Sequence, residues 1–258
     1  MALKIKNILV SQPKPADMDK SPYGELCKKF NVNIDFHKFI TIEGISAQEF
    51  RKAKGTFNDH TAIILTSRHA VDHFFRMAKE LRYEIPDSLK YFCISESTAY
   101  YLQKYVQYRK RKIFYGKQNF ADLLSVVKKH GDEKFLVPSS DIHKQTMFTL
   151  LDKEKINYSN AVIYRTVASN LSHLDIDKYD LIIFFSPAGI KSLQNNFPDY
   201  EQNEKLIAAF GPTTAKAVKD ANMKLTIPAP TQSAPSMTMA IEEYLTKDAK
   251  DRRRNGRK

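Results

Sequence analysis

The chain has 258 residues and a formal net charge of +12, and 42% of its residues are hydrophobic. This length allows one large domain or two domains of ordinary size, and the hydrophobic fraction is sufficient for a buried core. No apolar run reaches the roughly 20 residues of a membrane-spanning helix, so we expect no membrane domain.

The positive charge is unevenly distributed along the chain. The C-terminal segment 247–258 (KDAKDRRRNGRK) has a net charge of +5, and the rest of the chain keeps +7. We expect this segment to be a disordered tail with at most weak contact to nucleic acid. The surplus on the rest of the chain suits an anionic partner.

The N-terminus and the cysteines indicate the compartment. The first residues, MALKIKNILVSQPKP, predict a strand and a Pro-rich loop rather than a signal peptide. Cys27 and Cys93 are far apart and form no CxxC pair, so we expect reduced packing thiols. Both features favour a cytoplasmic protein.

Short apolar runs alternate with longer stretches of mixed pattern. Buried runs of about four to six residues, each followed by roughly 12–20 residues, are typical of β–α units in parallel sheets. We therefore predict an α/β protein with two parallel sheets of about four or five strands each. The predicted strands are 5–10, 32–40, 61–66, 90–95, 111–116, 134–139, 161–167, 180–185, 205–211 and 224–229.

The two halves of the chain resemble each other. TAIILTSRHAV aligns with LIIFFSPAGI, which places Ser67 over Ser186. YFCISESTAYYL aligns with IAAFGPTTAKAV, which places Ser95 over Gly211. The two shifts are nearly equal, so we predict two similar α/β domains.

Two predicted strands precede the first copy, and they determine the domain boundaries. We assign them to the second copy, so that one domain is discontinuous and the other is inserted into it. A cleft between the domains is then expected to hold the ligand. The predicted boundaries are 1–38 plus 168–258 for the discontinuous domain, 42–163 for the inserted domain, and 39–41 with 164–167 for two linker strands.

Four hydroxyl-rich turns follow predicted strands. In a parallel sheet such turns lie at the carboxyl ends of the strands, where ligands bind and helices begin with free N–H groups. Ordinary helix capping explains each turn singly, whereas four turns on equivalent edges favour a site for carboxylate or phosphate. The candidate binding residues are Thr66, Ser67, Arg68, Ser97, Thr98, Ser139, Ser186, Pro187, Ala188, Gly189, Gly211, Thr213 and Thr214.

Several common site motifs are missing from the sequence. Neither GxxxxGK[ST] nor GxGxxG occurs, and no GxSxG or catalytic-cysteine context is present, so we expect no nucleotide cofactor. His69 and His73 are spaced for a metal on one helix face, but no third ligand is evident, so we expect no metal site. If the protein is an enzyme, we expect it to work with hydroxyl groups and backbone donors.

These motifs resemble those of the uroporphyrinogen-III synthase family. The resemblance covers about residues 5–245 and rests on VIYRT, FFSPAGI, AAFGPTTAKAV and PAPTQSAPSM, with ILTSRHAV and SESTAYYL in the other half. It implies two α/β domains joined by a two-stranded linker, and a monomer without a cofactor. The chain departs from the family pattern at Ser11, where many members carry an arginine in the same turn, and at Ser95, where a glycine is common.

The resemblance implies a carbon–oxygen lyase. Such an enzyme closes hydroxymethylbilane to uroporphyrinogen III with loss of water and inversion of ring D. The substrate bears eight carboxylates, which suits the positive charge and the helix starts. Tyr164 matches the family tyrosine proposed to assist departure of the hydroxyl group, and a linker tyrosine packed between domains is the alternative.

Two other functions stay open at this level. A non-catalytic two-lobed protein that binds an anionic small molecule has the same scaffold. A nucleic-acid binder would use the tail and the segment 104–112 (KYVQYRKRK), in which tyrosines interleave with basic residues. Such a segment is more often a solvated helix end.

Overall fold

The computed structural model describes residues 4–117, 119–142 and 145–255, with side chains up to Arg252. Over these residues the chain forms eleven strands and nine α-helices. None of the helices in this described part is long and apolar enough to cross a membrane.

The chain divides into two compact units, and unit 1 contains the residues up to Thr41 and those from Val167 onward. Its elements are β1 (Asn7–Val10), α1 (Pro22–Phe30), β2 (Asn33–Phe36), β9 (Leu181–Phe184), α7 (Pro187–Asn196), β10 (Leu206–Phe210), α8 (Pro212–Asp220), β11 (Leu225–Ala229) and α9 (Met237–Asn255). The strands are parallel and lie in the order β11-β10-β9-β1-β2. Helices α1 and α9 cover one face of the sheet, and α7 and α8 cover the other.

Unit 2 contains Ile42–Thr166. Its elements are β3 (Ile40–Gly44), α2 (Ala47–Lys52), β4 (Ala62–Leu65), α3 (Arg68–Leu81), β5 (Lys90–Cys93), α4 (Glu96–Leu102), β6 (Ile113–Tyr115), α5 (Phe120–Val127), β7 (Phe135–Ser140), α6 (Gln145–Lys153) and β8 (Tyr158–Ala168). The strands lie in the order β3-β8-β7-β4-β5-β6, and β3 and β8 extend past the unit boundary.

The two sheets have the same strand arrangement with a different starting point in the chain. Strands β4 to β8 of unit 2 correspond in position to β9, β10, β11, β1 and β2 of unit 1. The units are therefore related by circular permutation, and β3 is an additional edge strand. In each sheet the strand order reverses at one place, which is between β1 and β9 in unit 1 and between β7 and β4 in unit 2. Open α/β sheets bind their ligands at such a switch point.

The central strands are apolar on both faces because helices cover both sides of each sheet. In β4, Ala62 and Ile64 pack with α5 and α6, whereas Ile63 and Leu65 pack with α3 and α4. The alternation follows from the two-residue period of a strand. Strand β9 divides its four residues between two cores in the same way. The predicted α/β class with parallel sheets is thus confirmed.

The predicted strand 32–40 is interrupted. Strand β2 ends at Phe36, and β3 begins only at Ile40. Between them Phe39 is fully buried in a core of unit 1, with its ring centroid 5.8 Å from that of Phe184. The apolar run therefore contains two strands, because one of its aromatic residues packs into a core instead of continuing the first strand.

The predicted linker segments 39–41 and 164–167 lie within or directly before β3 and β8, which are neighbours in the sheet. The hydroxyl oxygens of Thr41 and Ser169 are 2.8 Å apart. The Ser169 N–H donates to the Phe39 carbonyl at 3.0 Å. These contacts lie within unit 1 and join the two chain segments beside the predicted linker residues.

The C-terminal segment differs from the expected disorder. Helix α9 continues to Asn255, so residues 247–255 are helical. The Arg252 Nε donates to Asp248 Oδ2 at 2.8 Å, and an opposite-charge pair at this spacing stabilises a helix. Residues 256–258 of the predicted tail lie outside the described residues.

Cys27 and Cys93 are both free thiols. Cys93 is fully buried at the end of β5, and burial raises its pKa to about 12. Burial also raises the pKa of Cys27. Both thiols therefore stay protonated at neutral pH, as expected for packing groups.

Two tyrosines of unit 1, the buried Tyr179 and the partly buried Tyr200, differ in the hydrogen bonding of their hydroxyl groups. The Tyr179 hydroxyl donates to Asp35 Oδ2 at 2.8 Å, whereas the Tyr200 hydroxyl has no hydrogen-bond partner among the described residues. We expect Tyr200→Phe to keep or raise the free energy of unfolding, by up to about 1 kcal/mol, because it removes an unpaired buried group. Tyr179→Phe should lower it by about 1–2 kcal/mol, because it leaves Asp35 without this donor. Urea denaturation measures both, and equal losses would contradict the assignment.

Candidate functional site

Each unit brings its predicted turns to one edge of its own sheet. Parallel strands end at the same edge, so the turns that follow them lie side by side. We call this edge rim 1 in unit 1 and rim 2 in unit 2. Rim 1 carries Ser186, Pro187, Ala188, Gly189, Gly211, Thr213 and Thr214, and rim 2 carries Thr66, Ser67, Arg68, Ser97, Thr98, Ser139 and Tyr164.

Ser67 and Ser186 occupy matching positions after the switch-point strands β4 and β9. The Ser67 Oγ accepts from the Ala70 N–H at 3.0 Å and caps α3. The Ser186 Oγ accepts from the Gly189 N–H at 3.3 Å and caps α7, which begins at Pro187. Each hydroxyl oxygen thus accepts one backbone bond, and its proton can be donated to another group.

The start of α8 has no side-chain cap. Gly211 has a φ of 89°, a conformation that glycine adopts without strain, and no atom lies within 4 Å of the position that a Cβ would take. The first helical residue is a proline, so the first N–H groups belong to Thr213 and Thr214. The matching helix α4 is capped by Ser95, whose Oγ accepts from Thr98 N at 3.4 Å. The backbone amides at the start of α8 thus have no side-chain cap, whereas the start of α4 is capped.

Three of the predicted binding side chains are buried. Thr98, Ser139 and Thr214 expose only 5%, 3% and 1% of their surface. The Ser139 hydroxyl donates to Asn160 Oδ1 at 2.6 Å, and the Thr98 hydroxyl lies 3.2 Å from Ser95 Oγ. The structure thus places these three hydroxyl groups inside the units, in contrast to the expectation that they line the rims.

Other candidates are accessible. Arg68, Ser97, Pro187 and Thr213 are exposed. The Arg68 guanidinium carbon lies 5.3 Å from the centroid of the Tyr101 ring, and Arg68 forms no ion pair within the described residues. Its planar fork is suited to a carboxylate. Thr66, Ser186, Ala188 and Gly211 are partly buried, whereas Gly189 is buried.

Tyr164 lies on β8, is 7% exposed, and contacts α3. Its ring stacks on His73, with ring centroids 5.0 Å apart and planes at 18°. Burial raises the pKa of Tyr164 above its usual value, and a hydrogen bond with the Ser67 side chain offsets part of this rise. The phenol therefore keeps its proton at neutral and moderately alkaline pH and acts as a donor.

The environment of Tyr164 was not predicted from the sequence. His73 was considered only with His69, as a possible metal pair, whereas its Nδ1 accepts a hydrogen bond from Arg76 Nε at 3.2 Å. Within the described residues, no group of three His, Cys, Asp or Glu side chains is arranged to hold a metal ion. The spacing of His73 and Arg76 indicates a shared helix face. Their contacts with β8 join residues far apart in the chain, so no local sequence pattern predicts them.

Ser11, at which the chain departs from the family pattern, also lies at rim 1. It follows β1, and its N–H donates to the Ile183 carbonyl at 3.0 Å. A Cβ placed on Gly189 would lie 3.7 Å from Ser11 Oγ and 3.8 Å from Ser186 Oγ. The two hydroxyl groups therefore lie on either side of the switch point of unit 1.

A cavity of about 380 Å³ in unit 2 lies away from rim 2. It lies at the amino ends of β5 and β6, next to Leu89 and Lys112, and its lining includes Phe75, Tyr105 and Arg109. None of the candidate residues of rim 2 contributes to it. We therefore treat it as separate from the candidate site.

Comparison with known proteins gives the following matches. A family model described as uroporphyrinogen-III synthase HemD matches residues 23–239. A uroporphyrinogen-III synthetase structure from Helicobacter pylori is similar with a TM-score of 0.56 at 16% identity, over 94% of this chain and 99% of that chain. A mutant uroporphyrinogen III synthase from Thermus thermophilus gives a TM-score of 0.49 at 14% identity, over 94% and 99% of the two chains. No curated protein matches in sequence. At these identities the structural likeness bears on the fold alone.

The conformation of Gly211 can be tested directly. We expect Gly211→Ala to lower the free energy of unfolding by about 1–2 kcal/mol, because a Cβ is strained at this φ. Gly131→Ala is the matched control, since Gly131 has a φ of −62° and its added Cβ would meet nothing closer than 3.7 Å. Chemical denaturation of both variants decides, and a Gly211→Ala protein as stable as the wild type would contradict the described backbone.

Proposed function

Because the chain belongs to the uroporphyrinogen-III synthase family, we propose that it closes hydroxymethylbilane to uroporphyrinogen III. In this reaction water is lost and ring D is inverted, so the enzyme is a carbon–oxygen lyase. The observation that carries the proposal is the family match, which runs from residue 23 to residue 239 and includes all candidate residues of both rims.

The task of the protein in this reaction is mainly geometric. A pyrrole ring expels the hydroxyl group with its own nitrogen lone pair, and the far end of the linear substrate attacks the azafulvene that results. A spiro intermediate then fragments and recloses, which inverts the last ring. Without the enzyme the uninverted macrocycle forms, so the protein must hold the substrate where the inverted path is faster.

We assign the binding of the substrate carboxylates to the two rims. Ser67 and Ser186 cap their helices with the hydroxyl oxygen and keep a proton to donate. The uncapped start of α8 offers backbone N–H groups and the positive end of a helix dipole. Arg68 offers a guanidinium group without an ion-pair partner among the described residues. The excess of basic over acidic residues supports the same assignment.

We assign Tyr164 to the departing hydroxyl group. A leaving hydroxide needs a proton or a hydrogen-bond donor, and a phenol with a raised pKa donates without losing its own proton at neutral pH. We expect the activity to stay independent of Tyr164 ionisation up to pH values above its usual pKa.

We further propose a cytoplasmic monomer that works without a metal or an organic cofactor. The free thiols of Cys27 and Cys93 are typical of a reducing compartment. Light scattering of the purified protein measures the oligomeric state. Treatment with a chelator should leave the rate unchanged, and a loss of activity restored by a metal ion would contradict this part of the proposal.

The main test is the identity of the product isomer. Freshly prepared hydroxymethylbilane is incubated with the protein, and the macrocycles are separated after oxidation. We expect uroporphyrinogen III in large excess over the uninverted isomer that forms spontaneously. A protein that binds the substrate but leaves only the uninverted isomer would be a non-catalytic binder, and the proposal would be wrong.

The role assigned to Tyr164 predicts the effect of removing its hydroxyl group. We expect Tyr164→Phe to lower kcat roughly 10- to 100-fold without abolishing it, since one hydrogen bond to a developing charge is lost. Tyr158→Phe is the matched control, because Tyr158 lies on the same strand and donates to Asp152 at 2.9 Å. Unchanged kcat in Tyr164→Phe would refute the assignment.

A further inference from the structure

Helix α3 contacts Tyr164 at two places. The side chain of its N-cap residue Ser67 lies near enough to the phenol to lower the pKa of Tyr164, and His73, nearly two turns later, stacks on the aromatic ring. The ring centroids are 5.0 Å apart, and the planes differ by only 18°. One helix thus restrains both the hydroxyl group and the ring of Tyr164.

The imidazole of His73 is held in one protonation state by geometry. Its Nδ1 lies 3.2 Å from Arg76 Nε, and a guanidinium nitrogen always donates and never accepts. The Nδ1 lone pair must therefore face Arg76, which leaves the single proton of the neutral ring on Nε2. A proton added to Nδ1 would point at the Arg76 N–H and break this contact.

Arg76 itself is fixed by three further groups. Its Nη2 donates to the carbonyl oxygens of Ile45 and Ile163, each at 2.9 Å, and its Nη1 pairs with the Glu80 carboxylate. A Cβ on Gly44 would lie 2.6 Å from the guanidinium, so glycine at this position makes room for Arg76. Ile163 directly precedes Tyr164, so Arg76 positions both the imidazole and the backbone of the tyrosine.

The surroundings favour the neutral imidazole at physiological pH. Burial lowers the pKa of His73, and the positive charge of Arg76 lowers it further. From β8 the neutral ring of Tyr164 packs against it. The charged and titratable groups of α3 around it are Arg76 and His69, which lower the pKa, and Asp72 and Glu80, which raise it.

We propose that His73 is a positioning residue. Its neutral imidazole, oriented by Arg76, holds the phenol ring of Tyr164 in the orientation that the reaction requires. The inference rests on the proposed role of Tyr164. Protonation of His73 breaks its contact with Arg76 and releases the ring, so kcat falls as the pH drops through the pKa of His73.

The first experiment needs no substrate. Long-range proton–nitrogen NMR spectra should show the Nδ1 of His73 as an unprotonated ring nitrogen at neutral pH and the proton on Nε2. Arg76→Gln should raise the pKa of His73, because it removes a positive neighbour, and Glu80→Gln should lower it, because it removes a negative one. The ring resonances of Tyr164 should titrate with His73 in each protein. A proton on Nδ1, or shifts of equal sign in the two variants, would overturn the proposal.

The second experiment measures kcat and KM against pH. We expect His73→Ala to lower kcat by roughly 10-fold with KM within about 2-fold, because an oriented group is lost rather than a binding contact. His73→Phe keeps a ring that cannot titrate, so it should retain more activity than His73→Ala. Its kcat should no longer fall at acidic pH, and we call this fall the acidic limb of the kcat profile. Glu80→Gln should move the fall of kcat to lower pH, whereas Arg76→Gln should lower kcat already at neutral pH, because it removes the contact that orients the imidazole.

The controls separate this inference from the proposed function. His60→Gln replaces a histidine of unit 2 that precedes β4 and contacts the Phe57 carbonyl, and it should keep the wild-type profile. If the wild-type protein forms only the uninverted isomer, the proposed function is wrong. The NMR spectra would still test the protonation state of His73, because they need no substrate. An active wild type with an unchanged acidic limb in His73→Phe would refute the positioning role alone.

Discussion

The parallel direction of the strands is the constraint on which the candidate site depends. The five strands of unit 1 and strands β4 to β8 of unit 2 pair in parallel, so they end at the same edge of their sheet, and the helices that follow them begin there. Serine caps, glycine turns and free N–H groups therefore collect at one edge of each unit. Each turn alone is a weak candidate for anion binding, and the parallel strand direction places several of these candidates side by side. The site is in this sense a product of topology.

Helix α3 connects this edge to the candidate catalytic group. Its first turn supplies Ser67, and its second and third turns supply His73 and Arg76, which contact β8 around Tyr164. The helix contains five fully or nearly buried apolar residues and lies firmly against the sheet. A rigid element of this kind holds a side chain more accurately than a loop does.

Part of this arrangement was predictable from sequence, for identifiable reasons. Ser67 and Ser186 were found because an N-cap after an apolar run is a local pattern. The burial of Thr98 and Ser139 was not predicted, because it depends on which side of a helix or strand faces the core at that position. The stacking of His73 on Tyr164 was also missed, since it joins residues that are far apart in the chain. The break between β2 and β3 was not predicted, because Phe39 prolongs the apolar run in the sequence. In the structure its side chain is buried in a core of unit 1.

The permuted strand order has a consequence for how the protein is made. Strands β1 and β2 leave the ribosome first, but their neighbour β9 is synthesised only after the whole of unit 2. Unit 2 is continuous in the chain and has its full set of partners at an earlier stage. During translation the first two strands must therefore wait with an unpaired sheet edge, and such edges invite wrong pairing. The order of the strands in the chain thus leaves β1 without its neighbour β9 until residues 181–184 have been synthesised.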